Sequence, residues 1–300
     1  MFSDQSQQQQ GRLKVAIDYN KLMNRKFERL EHTYTEKDTI LYALGVGMGI
    51  DPADEDCLKF VYEDGLKAMP SMANVLAYPG FWAKEPDTGI DWVRLLHAGQ
   101  EMIMHKPLPP AGTVEATTRL NDIIDKGEGK GALILSERTV RDVATGADLC
   151  TLITTGLARG DGGFGGPSLP SPKPDPVPER ECDIVCDLPT LPMLALIYRL
   201  SGDFNPLHVS PAVARSAGFK APILHGLCTF GVATHALLKT LCGYDPARFH
   251  RIRLRFSSPV YPGETIRTEI WRNDNNEVAF RCRVVERDTV VINNGYAEVS

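Results

Sequence analysis

The sequence predicts an α+β protein in which one unit, a helix wrapped by an antiparallel sheet, is made twice. Two segment echoes about half a chain apart, a Gly- and Pro-rich stretch between the halves, and alternating, turn-bounded apolar runs closing each half support this fold class. Pro107-Leu108-Pro109-Pro110-Ala111-Gly112-Thr113-Val114 aligns with Pro259-Val260-Tyr261-Pro262-Gly263-Glu264-Thr265-Ile266 at a separation of 152 residues in a chain of 300. Tyr42-Ala43-Leu44-Gly45-Val46-Gly47 aligns with Tyr198-Arg199-Leu200-Ser201-Gly202-Asp203 at a separation of 156, in the same relative place. Chance yields two matches in one order less readily than one.

Residues 1–12, with the glutamine run Gln7 to Gln10, lack the basic and apolar regions of a signal peptide and are expected to be a disordered tail. The first unit, 13–160, supplies strand-like runs at Gly112 to Ile124, Ala132 to Arg141 and Leu149 to Leu157. Residues 161–180 form the linker, glycines followed by prolines 167, 170, 172, 174, 176 and 178. At roughly 3.1 Å per residue in polyproline II, Pro167 to Pro178 reaches about 37 Å, enough to cross the face of a small domain. In the second unit, 181–300, Ser210-Pro211 opens a short helix that Gly218 ends. Leu227 to Leu241, mostly apolar and preceded by glycine, suits a helix buried against a curved sheet. Strand-like runs follow at Arg251 to Val260, Thr265 to Asn273, Glu277 to Val285 and Val290 to Val299, with turns at Pro262-Gly263 and Asn273 to Asn276.

Composition excludes several function classes. There are 33 basic and 38 acidic residues, a net charge of -5, and no basic block, so no nucleic-acid partner is expected. No apolar stretch approaches the roughly 18 residues of a membrane span, and the C-terminal Ala297-Glu298-Val299-Ser300 is not a peroxisomal Ser-Lys-Leu, so a cytoplasmic protein without a membrane partner is expected. The seven cysteines are odd in number and scattered, and Cys182 and Cys186 are spaced unlike redox or zinc pairs; reduced thiols follow. Gly45-x-Gly47-x-Gly49 lacks the strand, helix and third-glycine spacing of a dinucleotide motif, and no Gly-x-Ser-x-Gly elbow occurs.

The chemistry concentrates in Tyr198 to His208. Pro206 keeps Asn205 out of the helical region, so Asp203 to His208 is a compact turn presenting one carboxylate and one imidazole to a common space, as an acid-base pair requires. From composition alone the segment also reads as an ordinary turn with a surface histidine. As a ligand set, Asp203, Asn205 and His208 fit neither a calcium loop nor a zinc site, and no metal is expected. Downstream, in Ala221-Pro222-Ile223-Leu224-His225-Gly226-Leu227-Cys228-Thr229, Gly226 opens the apolar helix and can aim unpaired N–H groups at an oxyanion. A loop glycine beside a core His225 is the other reading of that segment.

The stretch 198–214, with Gly202-Asp203-Phe204-Asn205-Pro206-Leu207-His208 and Ala214, resembles the hydratase 2 signature of the MaoC-like family, as in the hydratase 2 domain of peroxisomal multifunctional enzymes. Supporting matches are Tyr34-Thr35-Glu36, Tyr42 to Gly45, Leu95-Leu96-His97, Lys106 to Pro109, Asp125-Lys126-Gly127, Gly162 to Gly166 and Arg255 to Val260, so the resemblance covers about residues 30–300. It implies a double hot dog fold and (R)-specific hydration of a 2-enoyl-CoA without a cofactor. Asp203 and His208 become the catalytic dyad, with Asn205 beside them and the Gly226 amide as oxyanion donor. His97, Ala98, Lys126 and Phe256 become acyl-CoA contacts, although Ala98 stands where glycine is common. A homodimer is also expected. Gly47, Gly49 and Pro52 stand opposite Asp203, Asn205 and His208, so the first half is expected to be non-catalytic, with Gly45, Gly47 and Gly49 making room for the acyl chain. A dehydratase or thioesterase on another acyl thioester, or a non-catalytic acyl-CoA binding module, are the competing readings.

Overall fold

The computed structural model of the chain describes residues 16–170, 175–273 and 275–300; the tail over 1–12 and positions 171–174 of the linker lie outside them. Its strands are β1 (Leu30–Tyr34), β2 (Leu95–Met104), β3 (Gly112–Asp125), β4 (Ala132–Asp142), β5 (Asp148–Ala158), β6 (Ile184–Pro189), β7 (Phe249–Phe256), β8 (Thr265–Arg272), β9 (Glu277–Val284) and β10 (Thr289–Val299). Helices are α1 (Tyr19–Met23), α2 (Glu36–Gly45), α3 (Glu55–Leu58), α4 (Leu194–Tyr198), α5 (Pro211–Ser216) and α6 (Gly226–Leu241). The strands pair antiparallel in one sheet of order β1-β3-β4-β5-β2-β7-β10-β9-β8-β6. From each edge to the centre the halves follow one plan, β1-β3-β4-β5-β2 against β6-β8-β9-β10-β7, and β2 joins β7 from Gly99 opposite Arg255 to Ile103 opposite Arg251. The 152-residue echo therefore marks the entries of equivalent strands, β3 and β8.

This is a double hot dog. Helix α6 is apolar all round: its residues from Cys228 to Leu238 are all buried, so it lies enclosed by the sheet, as a helix without a polar stripe must. Gly231 permits the close approach of α2's end, since a Cβ there would lie 2.4 Å from Val46 Cγ1. The first half makes its counterpart short. A buried 3-10 turn, Pro70–Asn74, occupies that place, and Pro79-Gly80 bars any longer continuation. The second echo marks a contact between the halves. Tyr42 and Tyr198 are fully buried with ring centroids 5.9 Å apart, and a Cβ on Gly45 would lie 3.2 Å from Tyr198 Cα.

The linker begins as a packed loop. The Asp125 carboxylate accepts N–H bonds from Gly127, Gly163 and Gly165, which hold its pKa below the usual carboxylate value against the opposing effect of burial. From β5 to β6 the chain crosses six inter-strand steps, about 29 Å at about 4.8 Å each. Near midway Asp175 pairs with Arg253 of β7 at 2.8 Å, and its carbonyl accepts from Asn294 of β10. All seven cysteines are free, and no helix among the described residues is long and apolar enough to cross a membrane.

Candidate active site

Gly202, at φ 122°, turns the chain after α4 so that Asp203 begins a tight loop. The Asp203 carboxylate accepts the Asn205 N–H at 3.2 Å, and Asn205 Oδ1 accepts the Leu207 N–H at 3.1 Å, capping the 3-10 turn Pro206–His208. Much of Asn205's acceptor capacity is therefore structural, while its Nδ2 remains for a water or substrate. Ser210 caps α5 immediately afterwards. His208 is buried, and its Nδ1 lies 2.8 Å from the Ile223 carbonyl. A carbonyl only accepts, so the proton sits on Nδ1 and Nε2 carries the lone pair. Burial pushes the His208 pKa below its usual value, opposed by the Ile223 carbonyl and the Asp203 charge. The ring is neutral at pH 7 with its free nitrogen available as a base.

His225 is the N-cap of α6 and stacks on His208, with ring centroids 3.7 Å apart. Gly226 follows as the first helical residue, whose N–H has no intrahelical acceptor. A Cβ on Gly226 would meet only the Phe256 ring, at 3.6 Å, so the glycine leaves this amide open from the Phe256 side. Phe256 in turn contacts His97 edge-on, at 5.0 Å between centroids. His97 Nε2 lies 3.0 Å from Gln100 Oε1, which also accepts from Thr154, so His97 donates through Nε2. Burial lowers the His97 pKa against the raising effect of Gln100.

Asp203, Asn205, His208, Gly226, Phe256 and His97 thus gather where the β2–β7 seam meets the start of α6. Ala98 sits in the bulge beside His97, half-buried. Lys126 stands apart, exposed in the β3–β4 turn, at the sheet end reached through the register Asp125, Ala132, Ala158, Leu95.

A cavity of about 470 Å³, lined by β1, α2, residues 72–80 and Leu200 to Gly202, opens beside the Asp203 turn. The three glycines expected to create this room do other work. Gly45 admits the Tyr198 backbone, Gly47 lines a separate cavity of about 210 Å³, and Gly49 packs on Val61. The larger cavity owes its space to the short 70–74 turn.

Asp203, His208 and His225 also offer donor atoms within 4.8 Å of one another. One nitrogen of each imidazole is already engaged, by Ile223 O and by Asp203 O at 3.2 Å, and the two rings face each other in a stack.

Residues 174–295 match the MaoC-like domain, and 32–160 match the MFE-2 hydratase 2 N-terminal domain. The 3-hydroxyacyl-thioester dehydratase Y of Mycobacterium tuberculosis is 40% identical over 95% of this chain and 99% of its own length. The chain belongs to the MaoC-like hydratase 2 family. Among this family's members, a probable enoyl-CoA hydratase 2 of Dictyostelium discoideum is 35% identical over 94% of this chain and 97% of its own. A crystal structure of a MaoC-like dehydratase from Phytophthora capsici superposes with a TM-score of 0.82 at 36% identity, covering 94% of this chain and 98% of that one.

In this hydratase 2 fold, three site features escape sequence reasoning. His225 stands against Asp203 and His208, where its sequence allowed a core histidine. Tyr78, after the strained Ala77 at φ 45°, is half exposed and lines the larger cavity together with Leu200 to Gly202; partial desolvation and then the Asp203 charge raise its phenol pKa. Arg138, buried in β4, packs over the Tyr78 ring at 5.5 Å and donates to the carbonyls of Asn74 and Leu76 at 2.6 and 2.9 Å. Only the odd Ala-Tyr-Pro-Gly break after an apolar run hinted at the Tyr78 loop.

Proposed function

We propose that this protein hydrates trans-2-enoyl-CoA to (3R)-3-hydroxyacyl-CoA. The observation carrying the reading is the buried neutral His208, its Nε2 free, beside Asp203 and the first amide of α6. His208 Nε2 takes a proton from water while the hydroxide oxygen bonds to C3. The C2–C3 π electrons move toward the thioester, and the Gly226 N–H meets the enolate oxygen. Asp203 stabilises the imidazolium formed next to it, and that imidazolium returns the proton to C2, so one water is added and the enzyme is restored. Asn205 Nδ2 holds the water in line. The acyl chain enters the 470 Å³ cavity supplied by the first half, while His97, Ala98, Phe256 and, at the rim, Lys126 contact the CoA portion.

The same steps run backwards dehydrate a 3-hydroxyacyl thioester, and the name of the Mycobacterium tuberculosis relative favours that second direction. A cytoplasmic homodimer completes the proposal, checked by light scattering and fractionation. The decisive experiment incubates purified protein with a panel of trans-2-enoyl-CoAs, with chiral analysis of product and saturated acyl-CoA as a thioesterase control. Loss of the enoyl absorbance with a (3R) product supports the proposal. A (3S) product, or thioester cleavage without hydration, overturns it.

A further inference from the structure

His225 touches three parts of the proposed machinery. It is the residue before Gly226 and caps α6; its ring stacks on His208 at 3.7 Å and 30°; its Nε2 lies 3.2 Å from the backbone carbonyl of Asp203. We propose that His225 is a positioning residue that holds the Asp203 turn, the His208 ring and the Gly226 amide in one geometry. The proposal rests on the hydratase reading for its kinetic consequences, not for its structural ones.

The chemistry asks for this side chain. The Asp203 carbonyl only accepts, so His225 must donate from Nε2, which leaves a lone pair on Nδ1; that atom is buried without a hydrogen-bond partner. A flat ring is needed to stack on His208, and a donor is needed to tie down the turn. Phenylalanine has only the first property and glutamine only the second. The ring must also stay uncharged, because an imidazolium would repel the proton that His208 takes up during the reaction. The groups facing it set that state. Burial pushes the His225 pKa down to about 4, His208 and Arg199 act in the same direction, and Asp203 opposes them. Tyr198, 4.9 Å away by ring centroids, covers another side of the imidazole.

Two arms test the proposal on the full chain. Long-range nitrogen-proton NMR of the histidine rings in the unmodified protein should find His225 neutral, protonated on Nε2, from about pH 8 to about pH 5.5. An Nδ1-protonated ring, or titration near the ordinary histidine value, overturns the geometry whatever the substrate proves to be. The second arm compares His225→Phe with His225→Gln. His225→Phe keeps the stack but frees the turn, so kcat should fall about 100-fold with KM nearly unchanged. His225→Gln uncovers the His208 ring to water, so the acid limb of kcat/KM should move to higher pH. A merely structural role would lower melting temperature while leaving the acid limb and the kcat-to-KM split in place, and that pattern overturns the proposal. Should either variant fail to fold, the NMR arm still decides.

Discussion

The Gly226 amide can be removed without rebuilding the helix it begins. Proline lacks an N–H and is favoured at the first helical position, provided that the residue before it is extended. His225 sits at φ -59° and ψ 138°, a conformation that a following proline demands, and a Cβ at 226 meets only the Phe256 ring at an ordinary 3.6 Å. Gly226→Pro should therefore fold, while Gly226→Ala retains the amide and serves as the control. Removing one oxyanion donor costs about 3 to 4 kcal/mol in the transition state, on the order of 100- to 1,000-fold in kcat. Hydration of a short trans-2-enoyl-CoA, followed by loss of enoyl absorbance, gives the rate, and calorimetric binding of saturated acyl-CoA reports whether the proline ring merely blocks the site. The expected result is a large kcat loss in the proline variant and near wild-type turnover in the alanine variant. A folded Gly226→Pro enzyme within a few-fold of wild type, or equal damage from both substitutions, refutes the role given to this amide.

Asp203→Asn keeps the acceptor that closes the turn onto Asn205 and His208→Gln keeps a polar side chain of similar reach, so each should lower hydration by about 100- to 10,000-fold with little change in melting temperature; normal turnover in either removes that residue from the dyad. The pH-rate profile should lose activity on the acid side as His208 is protonated, with its limb below the ordinary histidine value near 6.5 because burial depresses it; a limb above that value contradicts the neutral ring. Stability should follow the same sign: His235, buried in α6 and held at about 4, stays neutral in the folded chain while the unfolded one protonates below about 6.5, so the unfolded state binds more protons between those values. The penalty, about 3 kcal/mol in full, is absent above pH 6.5 and grows as pH drops toward 4, with about 2 kcal/mol lost by pH 5; urea midpoints should show this decline, and His235→Phe should make it shallower by about that amount while His225, His208 and His97, also depressed by burial, keep part of it. Residues 181–300 expressed alone should be poorly folded or inactive, since β7 loses its partner β2 and the site loses His97 and the larger cavity; a soluble fragment as fast as the full chain would refute the division between halves.

The parts of the fold that follow from local patterning were legible. The runs assigned to β3, β4, β5 and β7 to β10 agree with the strands within a few residues, and the apolar run after Gly226 is α6, because turn glycines and alternation act over a few neighbours. The short or irregular strands β1, β2 and β6 gave no such signal. β1 and β6 are edge strands, and β2 carries a bulge at His97 to Gly99 that breaks its alternation. Nothing local distinguishes a full central helix from the 70–74 turn except Pro79-Gly80. In the site, Asp203 and His208 were visible because both lie in one turn. The partnership of His225 with them depends on the Asp203 carbonyl and on a ring stack between segments 17 residues apart, 208 to 225, neither of which has a spacing rule. The role expected of Gly45, Gly47 and Gly49 failed for a related reason: glycine marks where backbone comes close or turns left-handed, and only packing tells whether the freed space is filled by a neighbour.

The duplication relates the proposed site to the cavity beside it. Strand order is symmetric about the β2–β7 seam, so each half should offer a cavity bounded by its edge strand, β1 or β6, and by its central helix. In the second half α6 continues past Asp203 and His208, and His235, Lys239 and the following Tyr244 occupy the space beside β6, leaving about 210 Å³. In the first half the chain leaves the helical path after Asn74. Arg138 satisfies the carbonyls of Asn74 and Leu76, as a cation at the end of a helical turn does, and the Ala77 N–H donates to His32. With no further helical turns against β1, about 470 Å³ stays open. The half with Gly47, Gly49 and Pro52 opposite Asp203, Asn205 and His208 carries no carboxylate and imidazole at those positions for a long central helix to support. Shortening that helix costs no proposed chemistry there and leaves a cavity beside Asp203 and His208 of the other half.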